Sequence, residues 1–109
     1  MRVLVVDDSQ AFREVLTEVA VAAGLEVAGT ASSGEEGVRL FEELRPDVVI
    51  VDVRLPEMSG YEVEARVRAF SAAARVVLVS ATESGHDPRV VTKRSLTPAG
   101  LKAALAIGS

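Results

Sequence analysis

Three acidic residues hold the positions where this chain is best placed to do chemistry. Asp7 and Asp8 follow the apolar run Val3, Leu4, Val5, Val6, and Asp52 follows Val48, Val49, Ile50 and Val51. A continuous apolar run of that length reads as a strand covered on both faces. An acid at the end of such a strand faces the crevice outside the sheet's carboxyl edge, where doubly wound folds bind ligands. Three carboxylates converging there repel one another unless something positive sits between them. A hard divalent cation such as Mg²⁺ meets that need, because it takes oxygen ligands and keeps several waters.

The elements that would position these acids alternate strand and helix. Residues 2–6 read as a strand. A helix begins at Ser9, with Phe12, Val15, Leu16, Val19 and Ala23 at helical spacing and Gly24 as its terminating residue. Residues 25–31 form a weaker, edge-like strand. Ser33 and Glu36 fit a capping box for a second helix bearing Val38, Phe41 and Leu44, which Pro46 stops. Residues 47–52 are the central strand. The loop 53–60 leads to a helix carrying Val63, Val67 and Phe70. Residues 75–80 and 89–93 are two more strands. Thr97 as N-cap and Pro98 behind it open a last helix with Leu101, Ala104 and Leu105. This order implies an α/β fold with a mostly parallel sheet and helices on both faces. One crossover is missing: the eight residues 81–88 between the last two strands are polar, contain Gly and Pro, and are too short for a helix.

Composition narrows the classes. The 109 residues suit one small domain, residues 1–109, with no separate output domain. Apolar residues make up 49% of the chain, which favours a folded core over disorder. There is no cysteine, which excludes disulfides and thiolate metal sites. No signal peptide or membrane-length apolar run is evident, so the expected location is the cytoplasm with no membrane partner. A formal charge of −4 argues against nucleic acid.

The chain resembles the receiver domain of bacterial two-component response regulators. The residues that carry the resemblance are Asp7-Asp8-Ser9, the stretch from Asp52 through Arg54, Pro56 and Gly60, Ser80-Ala81, and Thr92-Lys93. They run in the family's order and span nearly the whole chain. The resemblance implies a flavodoxin-like five-stranded sheet of order 2-1-3-4-5, with the fourth helix lost or reduced to a loop. It implies that Asp52 is the phospho-acceptor and that Asp7, Asp8, Asp52 and the backbone carbonyl of Arg54 hold Mg²⁺. Ser80 becomes the hydroxyl that meets the phosphoryl group, and Lys93 the cation that pairs with carboxylate and then phosphoryl. The implied partners are a histidine kinase or phosphotransfer protein and an output protein. A carboxylate is a competent nucleophile toward phosphorus, and phosphoryl transfer needs mainly positioning and charge neutralisation.

Three departures accompany the match. Only 13 positions separate Ser80 from Lys93, where the family has room for a helix; Val90 stands where an aromatic is common; and Arg94 rather than proline follows the lysine. Any structural response is therefore expected in the loop 81–88 rather than through an aromatic relay. The alternative function is a constitutive assembly domain with a vestigial site. An independent phosphohydrolase fits less well, since no second general acid or substrate pocket is evident, so the chain is not expected to be an enzyme beyond self-phosphorylation and slow autodephosphorylation. Lys93→Ala is expected to keep a cooperative melt and lose the phosphorylation response. The lone His86 has no metal-ligand spacing around it. Val76 to Val79 carry apolar side chains on both faces of a strand that the missing helix would have covered. A homodimer or a tightly bound partner is expected over that patch, unless the third helix slides across to fill it.

Overall fold

Two strands are buried along almost their whole length, and they set the architecture. In the computed structural model, which describes residues 1–82 and 87–107, β1 (Arg2–Val6) and β3 (Val48–Asp52) lie side by side at the sheet's centre. Val3 to Val6 and Val48 to Val51 are completely excluded from solvent. β2 (Glu26–Ala31) flanks β1, and β4 (Arg75–Ser80) followed by β5 (Val91–Thr92) continues the sheet past β3. All pairings are parallel, in the order β2-β1-β3-β4-β5. This is the flavodoxin-like arrangement expected from the sequence.

Among the described residues four helices cover the two faces: α1 (Gln10–Ala22), α2 (Gly34–Leu44), α3 (Gly60–Phe70) and α4 (Pro98–Ile107). Odd and even residues of the central strands feed separate cores. Leu4, Val6, Val49 and Val51 pack with Val38 and Phe41 of α2 and with Val63 and Val67 of α3. Val3, Val5, Val48 and Ile50 pack with Leu16 and Ala20 of α1 and with Leu101 and Leu105 of α4. Period-two alternation against two helical layers is the physical content of the doubly wound fold.

Helix starts follow local chemistry. Ser9, Ser33 and Ser59 are N-caps whose hydroxyls accept from Phe12, Glu36 and Glu62 N–H at 3.3, 3.2 and 3.2 Å. The capping box at Ser33 is offset by one residue, since the Glu36 carboxylate accepts from Ser32 N at 2.7 Å. Arg45 ends α2 in the left-handed conformation, with φ of 48°, just before Pro46.

Several boundaries and faces differ from expectation. β5 covers Val91–Thr92 rather than residues 89–93. Asp87 holds a turn there, accepting from Arg89 N at 2.9 Å and from Val90 N at 3.1 Å. β2 begins at Glu26 because Leu25 N still bonds the Ala20 carbonyl of α1 at 3.0 Å. Val15 and Phe70 are exposed, at 44% and 42%. The buried stripe of α1 centres on Leu16 and Ala20, one step around from Val15, and the Phe70 ring instead lies 5.8 Å beneath the Arg45 guanidinium. Ala104 also faces out.

Among the described residues no helix joins β4 to β5, as expected. The bare aliphatic patch does not follow, however. Val77, Leu78 and Val79 are buried, and only Val76, Val90 and Val91 are half-buried. Val90, half-buried, packs against the core that α2 and α3 cover. α3 reaches the segment before β5 by polar contacts: Glu64 accepts from Arg89 at 3.0 Å and Arg68 at 3.4 Å, and the Tyr61 hydroxyl donates to Asp87 at 3.1 Å. The apolar basis for a homodimer is therefore narrower than the sequence implied. The expected responsive loop and His86 fall partly or wholly on residues 83–86, outside the described residues. No described helix is long and apolar enough to cross a membrane.

Gly60 occupies a point where backbones nearly touch. A Cβ there would lie 2.5 Å from the Asp52 carbonyl oxygen and 2.8 Å from Val53 Cα. Both are main-chain atoms that cannot turn aside, so the loop after Asp52 would have to move. Gly60→Ala is expected to cost about 1–3 kcal/mol, as overpacking does, read as a lowered urea midpoint with an unchanged slope.

Candidate functional site

The carboxyl edge of β1, β3 and β4 places every expected side chain at one end of the sheet. Asp7 follows β1, Asp52 ends β3, Ser80 ends β4, and Lys93 follows β5. The β3–β4 register pairs Asp52 with Val79, so Ser80 stands one residue further along the same edge. The β4–β5 register pairs Ser80 with Thr92, and Lys93 N–H donates to the Ser80 carbonyl at 2.8 Å. Strand registry thus sets the serine and lysine backbones at the same edge as the acids.

Lys93 reaches into the middle. Its Nζ lies 2.7 Å from Asp7 Oδ2 and 2.9 Å from Asp52 Oδ2. Asp7, Asp52 and Lys93 are 0%, 5% and 3% exposed, so water screens these charges little. Asp8 is exposed, yet one carboxylate oxygen from each of Asp7, Asp8 and Asp52 falls within 4.8 Å of the others. Each buried acid divides its work between two oxygens. Asp7 Oδ1 accepts from Ser9 N and Asp52 Oδ1 accepts from Arg54 N, both at 2.9 Å. The first bond holds the turn into α1, so Asp7 supports the start of that helix as well as taking a place in the cluster.

The donor set fits a hard divalent cation. It offers carboxylate oxygens, the ligand type Mg²⁺ prefers. Three acids face one lysine, which leaves an excess of negative charge. Asp7 Oδ2 is buried and lacks an aligned hydrogen-bond donor among the described residues; its short approach to Lys93 is an ion pair of poor angle. Arg54 is exposed at the mouth, where the loop it opens pairs back against Ser59. Ser80 is buried, and its Oγ accepts from Thr82 N at 3.3 Å.

Two supporting residues carried no signal in the sequence beyond helical periodicity. The Phe12 ring lies 4.2 Å from Lys93 Nζ and forms an apolar, cation-attracting wall on one side of the ammonium. Arg13 donates to the Asp7 carbonyl at 2.7 Å and fixes the backbone that carries the acid pair.

Burial acts to lower the ammonium's pKa, but the contacts with and charges of Asp7 and Asp52 outweigh it and hold Lys93 above the usual lysine value. A cation whose folded pKa is raised stabilises the fold fully below its unfolded pKa. That contribution disappears as pH rises through the folded value. Alkaline denaturation should therefore show a loss of stability beginning above the ordinary lysine range, which Lys93→Met lacks. Equal alkaline midpoints for the two proteins would refute the coupling.

Residues 3–96 match the family described as the response regulator receiver domain. The chain is 39% identical over 80 residues to the chemotaxis protein CheY of Thermotoga maritima, a match covering 73% of this chain and 67% of that one. It is 41% identical over 88 residues to a protein-glutamate methylesterase/protein-glutamine glutaminase of Bacillus licheniformis. That match covers 80% of this chain and 25% of the enzyme, so the chain spans about a quarter of this relative. Among solved structures, the CheX-CheY-BeF3-Mg+2 complex from Borrelia burgdorferi superposes with a TM-score of 0.83 at 25% identity, covering 98% of this chain and 87% of that one.

Proposed function

Because this chain belongs to the response regulator receiver domain family, we propose that it is a signalling switch in which Asp52 accepts a phosphoryl group from a histidine kinase or phosphotransfer protein. The observation that carries this reading is the convergence of Asp7, Asp8, Asp52 and Lys93 at one sheet edge. An Asp52 carboxylate oxygen attacks phosphorus, the phosphorus–nitrogen bond of the donor breaks, and the donor histidine leaves with its electron pair. Asp52 Oδ1 is held by Arg54 N–H, which fixes the carboxylate for attack. Lys93 then exchanges an ion pair with Asp52 for one with the new phosphoryl oxygens, and the Ser80 hydroxyl donates to them. Asp7, Asp8 and Asp52, with the Arg54 carbonyl, are the groups that would hold Mg²⁺. When bound, the ion supplies positive charge beside the reacting oxygens. The Borrelia burgdorferi relative, whose complex contains BeF3 and Mg+2, supports that assignment. Output by protein–protein contact in the cytoplasm, in a monomer or a homodimer, completes the reading.

The test is to weigh the intact protein after incubation with a small phosphoramidate donor. One added phosphoryl group with Mg²⁺, and none with a chelator, is the expected result. A protein that stays unlabelled under both conditions is a constitutive assembly domain instead.

A further inference from the structure

β5 stops short of the edge it lies against. β3 pairs with five successive residues of β4, from Arg75 to Val79, but β5 pairs only with Val79 and Ser80. Residues 75–78 therefore have no strand on their outer side among the described residues. The hydrogen bonds show which groups are left open. Arg75 N–H donates to Asp47 O and the Val79 carbonyl accepts from Val53 N, so both point inward, past or toward β3. The Ser80 carbonyl accepts from Lys93 N, so it points toward β5. Peptide groups alternate sides along a strand, which turns those of Val76 and Leu78 outward with Ser80. Such an edge is a template for another strand.

A cleft of about 580 Å³ lies along this edge. Val76, Val91 and Leu105 give it apolar walls, and Arg68, Arg75 and Arg89 stand around it. Among the described residues no Asp or Glu lines it, although the chain as a whole carries a charge of −4. Arg68 and Arg89 share Glu64, Arg89 also pairs with Asp87 at 3.2 Å, and the Arg75 guanidinium donates to the Leu105 carbonyl; the Arg68 and Arg89 side chains nonetheless remain 44% and 56% exposed toward solvent.

We propose that the open edge of β4 receives an extended, acidic segment of a partner protein as an added strand, end to end with β5. The outward peptide groups of Val76 and Leu78 supply the backbone pairing. The apolar walls take aliphatic side chains, and the three arginines take flanking carboxylates. A segment of about four residues suffices to match the open stretch. A second copy of this chain is the competing occupant, and charge decides against it. Two β4 edges related by a two-fold axis would bring two arginine clusters together, each still carrying a net positive charge after Glu64 and Asp87 are counted, with no carboxylate lining either cleft among the described residues to receive them. The proposal does not depend on Asp52 and stands or falls separately from the switch.

The probe is a blocked peptide with a central Val-Ile-Val run flanked on both sides by paired glutamates, titrated into the isotopically labelled full chain. Saturable shifts at the Val76 and Leu78 amides are expected. Replacing the glutamates by lysines should weaken binding by about tenfold or more. N-methylating the peptide amides that face β4 should abolish it, and that change leaves the protein untouched. On the protein side, Val76→Pro removes an outward donor and spares the bonds to β3; should that variant fail to fold, the N-methylated peptide gives the same answer. No shifts at millimolar peptide, shifts confined to another surface, or equal binding of the N-methylated peptide overturns the proposal. So do concentration-dependent shifts at Val76 and Leu78 without peptide, which would assign the edge to a second copy.

Discussion

Asp52→Asn takes up no phosphoryl group under conditions in which the wild-type chain takes up one. The rate of labelling should fall by at least about 100-fold, since the amide is no nucleophile and the remaining acids are misplaced for the role. Asp7 is fully buried, with one oxygen bound to Ser9 N and the other against Lys93. Asp8 is exposed and makes none of the described bonds that would fix it. Asp52 alone combines partial access, an oxygen held by Arg54 N–H and a lysine on the other oxygen. Asparagine keeps the side chain's shape and its bond to Arg54 N, so the variant should fold. Intact mass and a peptide map before and after incubation settle the matter. Wild-type labelling of Asp52→Asn, or a phosphoryl group mapped to another residue, ends the assignment.

Lys93→Ala should show a large loss of stability, since the ammonium is buried between two carboxylates. The substitution leaves two buried carboxylates facing each other without their shared cation. Removing one partner of a buried pair costs about 3–5 kcal/mol, out of a total near 5–15 kcal/mol for a small domain. The expected outcome is a melt that is still cooperative but occurs at a much lower temperature. Millimolar Mg²⁺ should raise the melting temperature of the variant more than that of the wild type, because it restores positive charge between the same oxygens. The phosphorylation response should be lost in either case. A variant that melts like the wild type, with or without metal, would show that the ammonium does not hold the acids together.

The acids were legible because a strand end is visible in sequence, whereas Lys93 stood out only through the resemblance to the receiver family. A run of aliphatic residues breaks at Asp7 and again at Asp52, and the break itself locates the sheet's edge. The alternation of strand and helix gave a parallel sheet, and the resemblance to the receiver family gave the order of its strands. Phe12 was legible only as a helix residue on the apolar stripe, since nothing local says that its ring will meet Lys93 from 81 positions away. Gly60 read as a turn residue, and its closeness to the Asp52 carbonyl depends on how β3 and α3 meet. The contacts joining Tyr61, Glu64 and Arg68 to Asp87 and Arg89 were hidden for a different reason. Charged residues on an exposed helix face look alike whether they are solvated or paired across the fold. Val76 to Val79 looked bare because apolar content was visible in the sequence, while the inward packing of Val90 was not.

The two-residue pairing of β5 also sets a clock. β5 and α4 are held to the rest by that short ladder, by the Lys93 ion pairs and by the packing of α4 against α1 and one face of the sheet. Local opening draws on the least anchored units of a fold, so this C-terminal unit should open well before the β1–β3 centre does. Lys93 travels with it. Each opening withdraws the ammonium and leaves the acid pair without its counter-charge until the unit closes again. The amide of Lys93, which donates to Ser80 O, should therefore exchange with solvent deuterium much sooner than that of Ile50. Its exchange time under fast reclosing measures how often the site loses its cation.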